Sequence, residues 1–238
     1  MRRILKTILK KTGLDAPVKA YPNSWLGRKM AGVDRKLIKE HFAEQKIKKL
    51  NLGSGYHVLD GWLNADVFPP LKKVLKIDAT KKYPFDDQTF DYIFSQHMIE
   101  HVSYAQGQQM LKECFRILKD GGKIRISTPD LLFLISLYQS EKSEQQKAYI
   151  KWSTQRYIEG APICEDTFVI NHFVRAWGHT FIHDEKVLRF ALEEAGFKEI
   201  VKCNLNESEE PILRHLENEK RIPEGFLRLE SLVLEAKK

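Results

Sequence analysis

Apolar positions change their spacing along this chain, and the spacing predicts the elements. Residues 1–12 set Ile4, Leu5, Ile8 and Leu9 at helical intervals, with Lys and Arg on the other face: a short basic amphipathic helix. Turn residues Pro17, Pro22, Gly27 and Gly32 follow, then a helix over 34–44. From residue 47 short apolar runs take over. They predict strands at 47–52, 62–67, 74–77, 90–95, 123–128, 197–203 and 229–236. Met110, Leu111, Cys114, Phe115 and Leu118 share one face of a helix over 107–118. That helix is expected to stop at Asp120-Gly121-Gly122, where glycine takes the left-handed cap conformation. Asp184 caps another helix, with Val187, Leu188, Ala191, Leu192 and Ala195 on its inner face and Gly196 at its end. Residues 131–180 are aromatic-rich and follow no simple period.

Strands alternating with helices predict an α/β fold: Rossmann-like, doubly wound, a mostly parallel sheet of about seven strands with helices on both faces. The expected division is a basic lead-in over 1–45 and one main domain over 46–238, with 131–180 as an insertion.

Charge sharpens that division. Residues 1–49 hold 14 Lys/Arg against 4 Asp/Glu, a net of +10, whereas the remainder holds 25 against 28, a net of −3. A nucleic-acid groove puts positive charge around its working site, so no stable nucleic-acid partner is expected. Residues 1–12 suit packing on the domain by their apolar stripe, with contact to an anionic membrane surface as the alternative. No apolar run of about 18 residues predicts a membrane span. No apolar core with a small-residue cleavage site marks a signal peptide. Cys114, Cys164 and Cys203 are odd in number and form no C-x-x-C pair, which suits a reducing cytoplasm.

The candidate chemistry sits where the strands end. Asn51-Leu52-Gly53-Ser54-Gly55 closes the first strand, and glycine lets a ligand approach the backbone closely. The G-x-G-x-x-G dinucleotide pattern is broken by Val58. Asp66 follows the second strand and Asp78 the third; ionised carboxylates accept hydrogen bonds from ribose hydroxyls or an adenine amine.

Together, LNLGSG, LNADV, IDATKKYPFDDQTFDYIFSQHMIEHV and MLKECFRILKDGGKIRISTPDL resemble the class I S-adenosylmethionine-dependent methyltransferases, in particular their small-molecule branch. The resemblance covers roughly residues 47–130, and EEAGF and SLVLEA are similar to the family's closing elements. It implies S-adenosylmethionine as cofactor. Asn51, Gly53, Ser54 and Gly55 would form the loop against its methionine part, Asp66 would hold the ribose, Asp78 and the Ala79 amide the adenine, and Gln96 and His97 would line the cleft. One departure stands out. Only Tyr56–Trp62 separate the first two strands, where a parallel crossover takes about a dozen residues. The first helix should be short or irregular, and Asp60 is the fallback for Asp66.

His97-Met98-Ile99-Glu100-His101 also fits the H-x-x-E-H pattern of zinc hydrolases. It directly follows a strand, and no third ligand is identifiable from the sequence, so no metal is expected. His172, Arg175, Trp177, His179 and His183 cluster past the fifth strand, where the resemblance implies an acceptor pocket. His179 is the candidate general base; Arg175, Trp177 and His183 are candidate acceptor contacts. Gly178 and Thr180 argue against a clean helix bearing His179 and His183 as metal ligands. Methyl transfer from a sulfonium needs chiefly alignment and exclusion of water, which suits a chain with no evident triad. The expected acceptor is a small molecule, a saccharide or lipid-linked saccharide being the narrower reading. An RNA methyltransferase and a non-catalytic cofactor-binding protein are the alternatives.

Overall fold

The computed structural model describes residues 32–238, so the basic helix at 1–12 lies outside the described residues. Seven strands form one sheet: β1 (Lys49–Leu52), β2 (Leu63–Asp66), β3 (Leu75–Lys76), β4 (Phe90–Gln96), β5 (Leu118–Pro129), β6 (Lys198–Lys202) and β7 (Ser231–Lys237). Their order is β3-β2-β1-β4-β5-β7-β6. β1 to β5 pair in parallel, while β7 runs antiparallel to both β5 and β6. Order reverses beside β1, so the carboxyl ends of β1, β2 and β4 open side by side at the switch point where doubly wound folds bind ligands. Among the described residues no helix is long and apolar enough to cross a membrane.

The helices are α1 (Val33–Glu44), α2 (Tyr104–Ile117), α3 (Leu131–Leu137), α4 (Glu144–Tyr157), α5 (Asp166–Arg175), α6 (Glu185–Glu194) and α7 (Phe226–Glu230). Ser103 and Gln106 form a reciprocal capping box that starts α2, and Met110, Leu111, Cys114 and Ile117 form its buried stripe. Asp184 accepts from Val187 N and starts α6 as its spacing predicts. The stripes of α2 and α6 meet the sheet residues Leu50, Ile93, Ile124 and Leu234 in the main core.

Three local expectations are overturned. α2 does not run to the Gly121-Gly122 cap: the chain turns extended at Leu118, which pairs with Phe90 of β4. Gly121 keeps its left-handed φ of +78°, but inside the start of β5, where its N–H donates to the carbonyl of Lys238 at 3.0 Å. Residues 131–180 hold three helices, α3 to α5, whose apolar faces form a second core around Phe133, Tyr149, Ile150, Val169 and Phe173. That packing is between helices, so no single helix needed a full amphipathic period. The last strand starts at Ser231, because Gly225 at φ +80° launches α7 first.

No helix joins β1 to β2. An amide knot holds the short crossover instead. Asn51 Nδ2 donates to His57 O at 3.0 Å and to Asn64 Oδ1 at 2.9 Å; Asn64 also accepts from Leu59 N and donates to the carbonyls of Leu59 and Trp62. Asn51 is 1% exposed, and its amide is engaged in shaping the loop.

On β5, Arg125 is fully buried with all five N–H groups bonded: Nε and Nη2 to Glu217, Nη1 to Glu235, and one each to the carbonyls of Glu207 and Asn204. The fork ties the C-terminal loop to the sheet. Removing only the cation strands two buried carboxylates, which costs roughly 3–5 kcal/mol. Arg125→Met should therefore lower the urea unfolding midpoint strongly, whereas a surface change such as Lys36→Met should leave it within error.

Candidate active site

The site begins at Gly53. Its φ is +74°, and a Cβ built there would overlap the side chain of Met98, lying 2.6 Å from Met98 Cβ. Only glycine lets the β1 loop and the turn after β4 approach so closely. Gly53 N and Ser54 N both donate to Ala65 O, at 2.8 and 2.9 Å, which pins the loop to the end of β2. Asp66 closes it: Oδ2 accepts from Gly55 N at 2.9 Å, and Oδ1 from Phe68 N at 2.8 Å. Asp78, just past β3, accepts from the Thr80 hydroxyl and amide at 2.7 and 2.9 Å, and the hydroxyl bond above all holds its carboxyl below the usual range. Ala79 is buried beside it, its carbonyl accepting from Tyr83 OH. At the end of β4, Gln96 Oε1 accepts from Asn218 N at 3.1 Å, and His97 turns with φ +48°. Gly53, Ser54, Gly55, Asp66, Asp78, Ala79, Gln96 and His97 thus share the carboxyl edge of the sheet, and of the predicted set Asn51 alone faces the crossover loop.

Beyond His97 lies a cavity of about 310 Å³. Tyr149, Trp152, Tyr157, Phe173 and Trp177 supply aromatic wall; Arg221, Ile222 and Glu230 come from the C-terminal segment. Its polar end is made by His97, Glu100, His101 and His179. Glu100 is fully buried, with Oε2 accepting from Thr128 Oγ1 at 3.2 Å. Its Oε1 faces His97 Nδ1 at 3.3 Å and His101 Nε2 at 3.9 Å but has no aligned hydrogen bond. Burial pushes its carboxyl up, and the facing imidazoles outweigh that, leaving it below the usual range. His179 Nδ1 donates to the Phe173 carbonyl at 2.7 Å, which leaves Nε2 as a lone pair. Burial lowers the His179 pKa, so the ring is neutral at pH 7.

Two expected acceptor residues lie elsewhere. Arg175 borders a separate surface hollow with Ile158, Thr167 and His172. His183 is 2% exposed, packs edge-on to Phe181, and is pushed by burial down to about 4. Trp177 and His179 do line the cavity. The aromatic richness of 131–180 signalled the wall, whereas nothing in the sequence pointed to Arg221 or Glu230.

This is a doubly wound α/β domain with a strand-end cleft and an adjoining cavity. Residues 31–126 match the family model of the methyltransferase domain. Among solved structures the chain is similar to an S-adenosylmethionine-dependent methyltransferase from Archaeoglobus fulgidus, at 17% identity and TM-score 0.46, covering 93% of this chain and 100% of that one. It is also similar to phosphoethanolamine N-methyltransferase 2 of Haemonchus contortus in complex with S-adenosyl-L-methionine, at 15% identity and TM-score 0.42, covering 86% of this chain and 52% of that one. A comparison with curated proteins returns no match.

The strand-end residues fit the cofactor. Gln96 Nε2 is a buried donor without a partner among the described residues. A Cβ on Gly55 would meet nothing within 4 Å, so the loop backbone is open there. Asp66 and Asp78 keep unused carboxylate lone pairs. Gly53→Ala must displace Met98 and adopt a positive φ, so it should weaken S-adenosylmethionine binding about tenfold or more by calorimetry, with the circular dichroism spectrum retained.

Proposed function

We propose that this chain is an S-adenosylmethionine-dependent methyltransferase acting on a hydroxyl of a small saccharide-type acceptor held in the aromatic cavity. The observation that carries this reading is the cavity itself: aromatic rings along the wall and a carboxylate–imidazole group at one end, beside His97 at the cofactor edge. Aromatic faces and edges pack against the C–H surfaces of a sugar ring, and the polar end can hydrogen-bond its hydroxyls. Bound S-adenosylmethionine supplies an electrophilic methyl group on a sulfonium, and the electron pair of the broken C–S bond returns to sulfur.

The chain's own residues do the rest. Asp66 and Asp78 accept hydrogen bonds from the ribose and the adenine, and Gly53–Gly55 let the methionine part lie close. The cavity walls exclude water and set the acceptor oxygen in line. His179 Nε2, neutral and free, takes the proton as the new C–O bond forms. Tyr149 donates to Glu230 Oε2 at 2.6 Å, and Arg221 Nη2 lies 3.6 Å from Glu230 Oε1, so the one cation in the wall is already matched by a carboxylate. That pairing favours a neutral acceptor over a polyanion such as RNA. The free cysteines Cys114, Cys164 and Cys203 support a cytoplasmic setting.

A radiolabelled-methyl assay against simple glycosides, nucleotide sugars, biogenic amines and RNA tests the reading. Label in the sugar fractions is expected; label confined to amines or RNA would sink it. Asp78→Ala should raise the S-adenosylmethionine Kd about tenfold, and Trp177→Ala should raise the acceptor KM by a similar factor with little change for the cofactor, each worth about 1.4 kcal/mol.

A further inference from the structure

Glu100 poses a problem that the transfer mechanism leaves open. Its carboxylate is fully buried, and Oε1 has no aligned donor. A buried charge is retained only when it is paired or bound to a metal. Three imidazoles surround it: His97 Nδ1 faces Oε1 at 3.3 Å, and the donor atoms of Glu100, His101 and His179 lie within 4.8 Å of one another.

We propose that Glu100, His101 and His179 form a site for a zinc-class divalent cation at the polar end of the acceptor cavity. Two imidazole nitrogens and one carboxylate oxygen are the ligand set of an open zinc site, with a fourth position left for solvent or substrate. Bonds of about 2.1 Å would draw tetrahedral ligands to separations of about 3.4 Å, so the cluster must contract by roughly an ångström. It has the freedom to do so: the His101 side chain is 37% exposed and can swing, while Glu100 stays anchored through Thr128.

The other two ligand positions are already braced. His179 Nδ1 donates to the Phe173 carbonyl at 2.7 Å, which fixes the tautomer and turns the Nε2 lone pair outward. A ligating histidine is characteristically held in this way, by a carbonyl on its other nitrogen. The chain around His179 is fastened to the turn that carries Glu100 and His101: Thr180 N donates to Glu100 O at 2.7 Å and Phe181 N at 3.2 Å. His97 adds a brace on the other side of the carboxylate, with Nε2 3.0 Å from Ser231 Oγ and Nδ1 facing Oε1. The H-x-x-E-H segment therefore does not bind through its two histidines on one helix. Ile99–His101 is a single 3-10 turn, and the third ligand arrives from beyond α5.

Glu100, His101 and His179 all line the cavity, so an ion held there would polarise an acceptor hydroxyl, whose proton would pass to solvent. This purpose rests on the hydroxyl-acceptor reading; the site itself does not. When the ion is bound, the His179 lone pair belongs to it, and the ion takes over the role of polarising the hydroxyl.

The test is metal binding measured without turnover. Tag-free protein is dialysed against chelator, titrated with Zn²⁺ by calorimetry, and loaded separately with Co²⁺ for its visible absorption. One equivalent of tight binding is expected, with an intense four-coordinate Co²⁺ band. His101→Ala, at a partly exposed position that leaves the fold intact, should weaken Zn²⁺ at least about tenfold. His179→Gln should do the same and change the band. Absence of tight Zn²⁺ binding, or binding that both variants leave untouched, would overturn the site. Tight binding lost in both variants, with no label in any sugar fraction, would keep the site and discard the saccharide reading. Loss of methyl transfer in His179→Gln, from a wild type that binds no Zn²⁺, would mark His179 as a plain proton acceptor and overturn the site.

Discussion

Met98 occupies the space that a side chain on residue 53 would need. That single contact brings the loop after β1 against the turn after β4, and the site on both sides depends on it. On one side, Gly53 to Gly55 stay open for a ligand, closed at their base by Asp66. On the other, His97 is driven to a φ of +48°, and the 3-10 turn that follows places Glu100 and His101 at the cavity. A side chain at residue 53 would force the loop after β1 and the turn after β4 apart.

The cavity rests on a second core that has little to do with the sheet. Phe133, Tyr149, Val169 and Phe173 pack α3, α4 and α5 together, with Phe226 from α7 completing the cluster. Tyr149 serves both sides: its ring is core, and its hydroxyl donates to Glu230 at the wall. The wall is thus built on packed helices rather than on free loops, which suits a site that must align an acceptor. The buried carboxylate of Glu100 sits at the polar end of that wall, held by the Thr128 hydroxyl on one oxygen and faced by the His97 and His101 imidazoles on the other.

Polar knots replace helices at two places. The amides of Asn51 and Asn64 hold a crossover too short for a helix, and Arg125 binds the C-terminal loop through Glu217 and Glu235. Each satisfies its buried groups completely enough to fix one arrangement. The first lets β1 and β2 end level with each other. The second anchors the segment from which Arg221 and Glu230 reach the cavity.

Strand positions, the glycine loop and the acidic residues after β2 and β3 were legible in the sequence, because each rests on local spacing: apolar runs of strand length, glycine at a close approach, carboxylates at strand ends. The capping residue Asp184 belongs to the same local physics. Other features depend on partners far along the chain. Asn51 reads as part of a ligand loop, and only the fold shows that Asn64 engages its amide. Gly121 reads as a helix cap until Lys238 pairs with it and Phe90 takes Leu118 into the sheet. His179 had no visible counterpart, and only the folding of residues 131–180 sets it beside Glu100 and His101. Local spacing therefore determined which edge of the sheet carries the glycine loop and the carboxylates, and tertiary packing alone decided what lines the cavity, because that pocket is assembled from side chains that no short-range pattern connects.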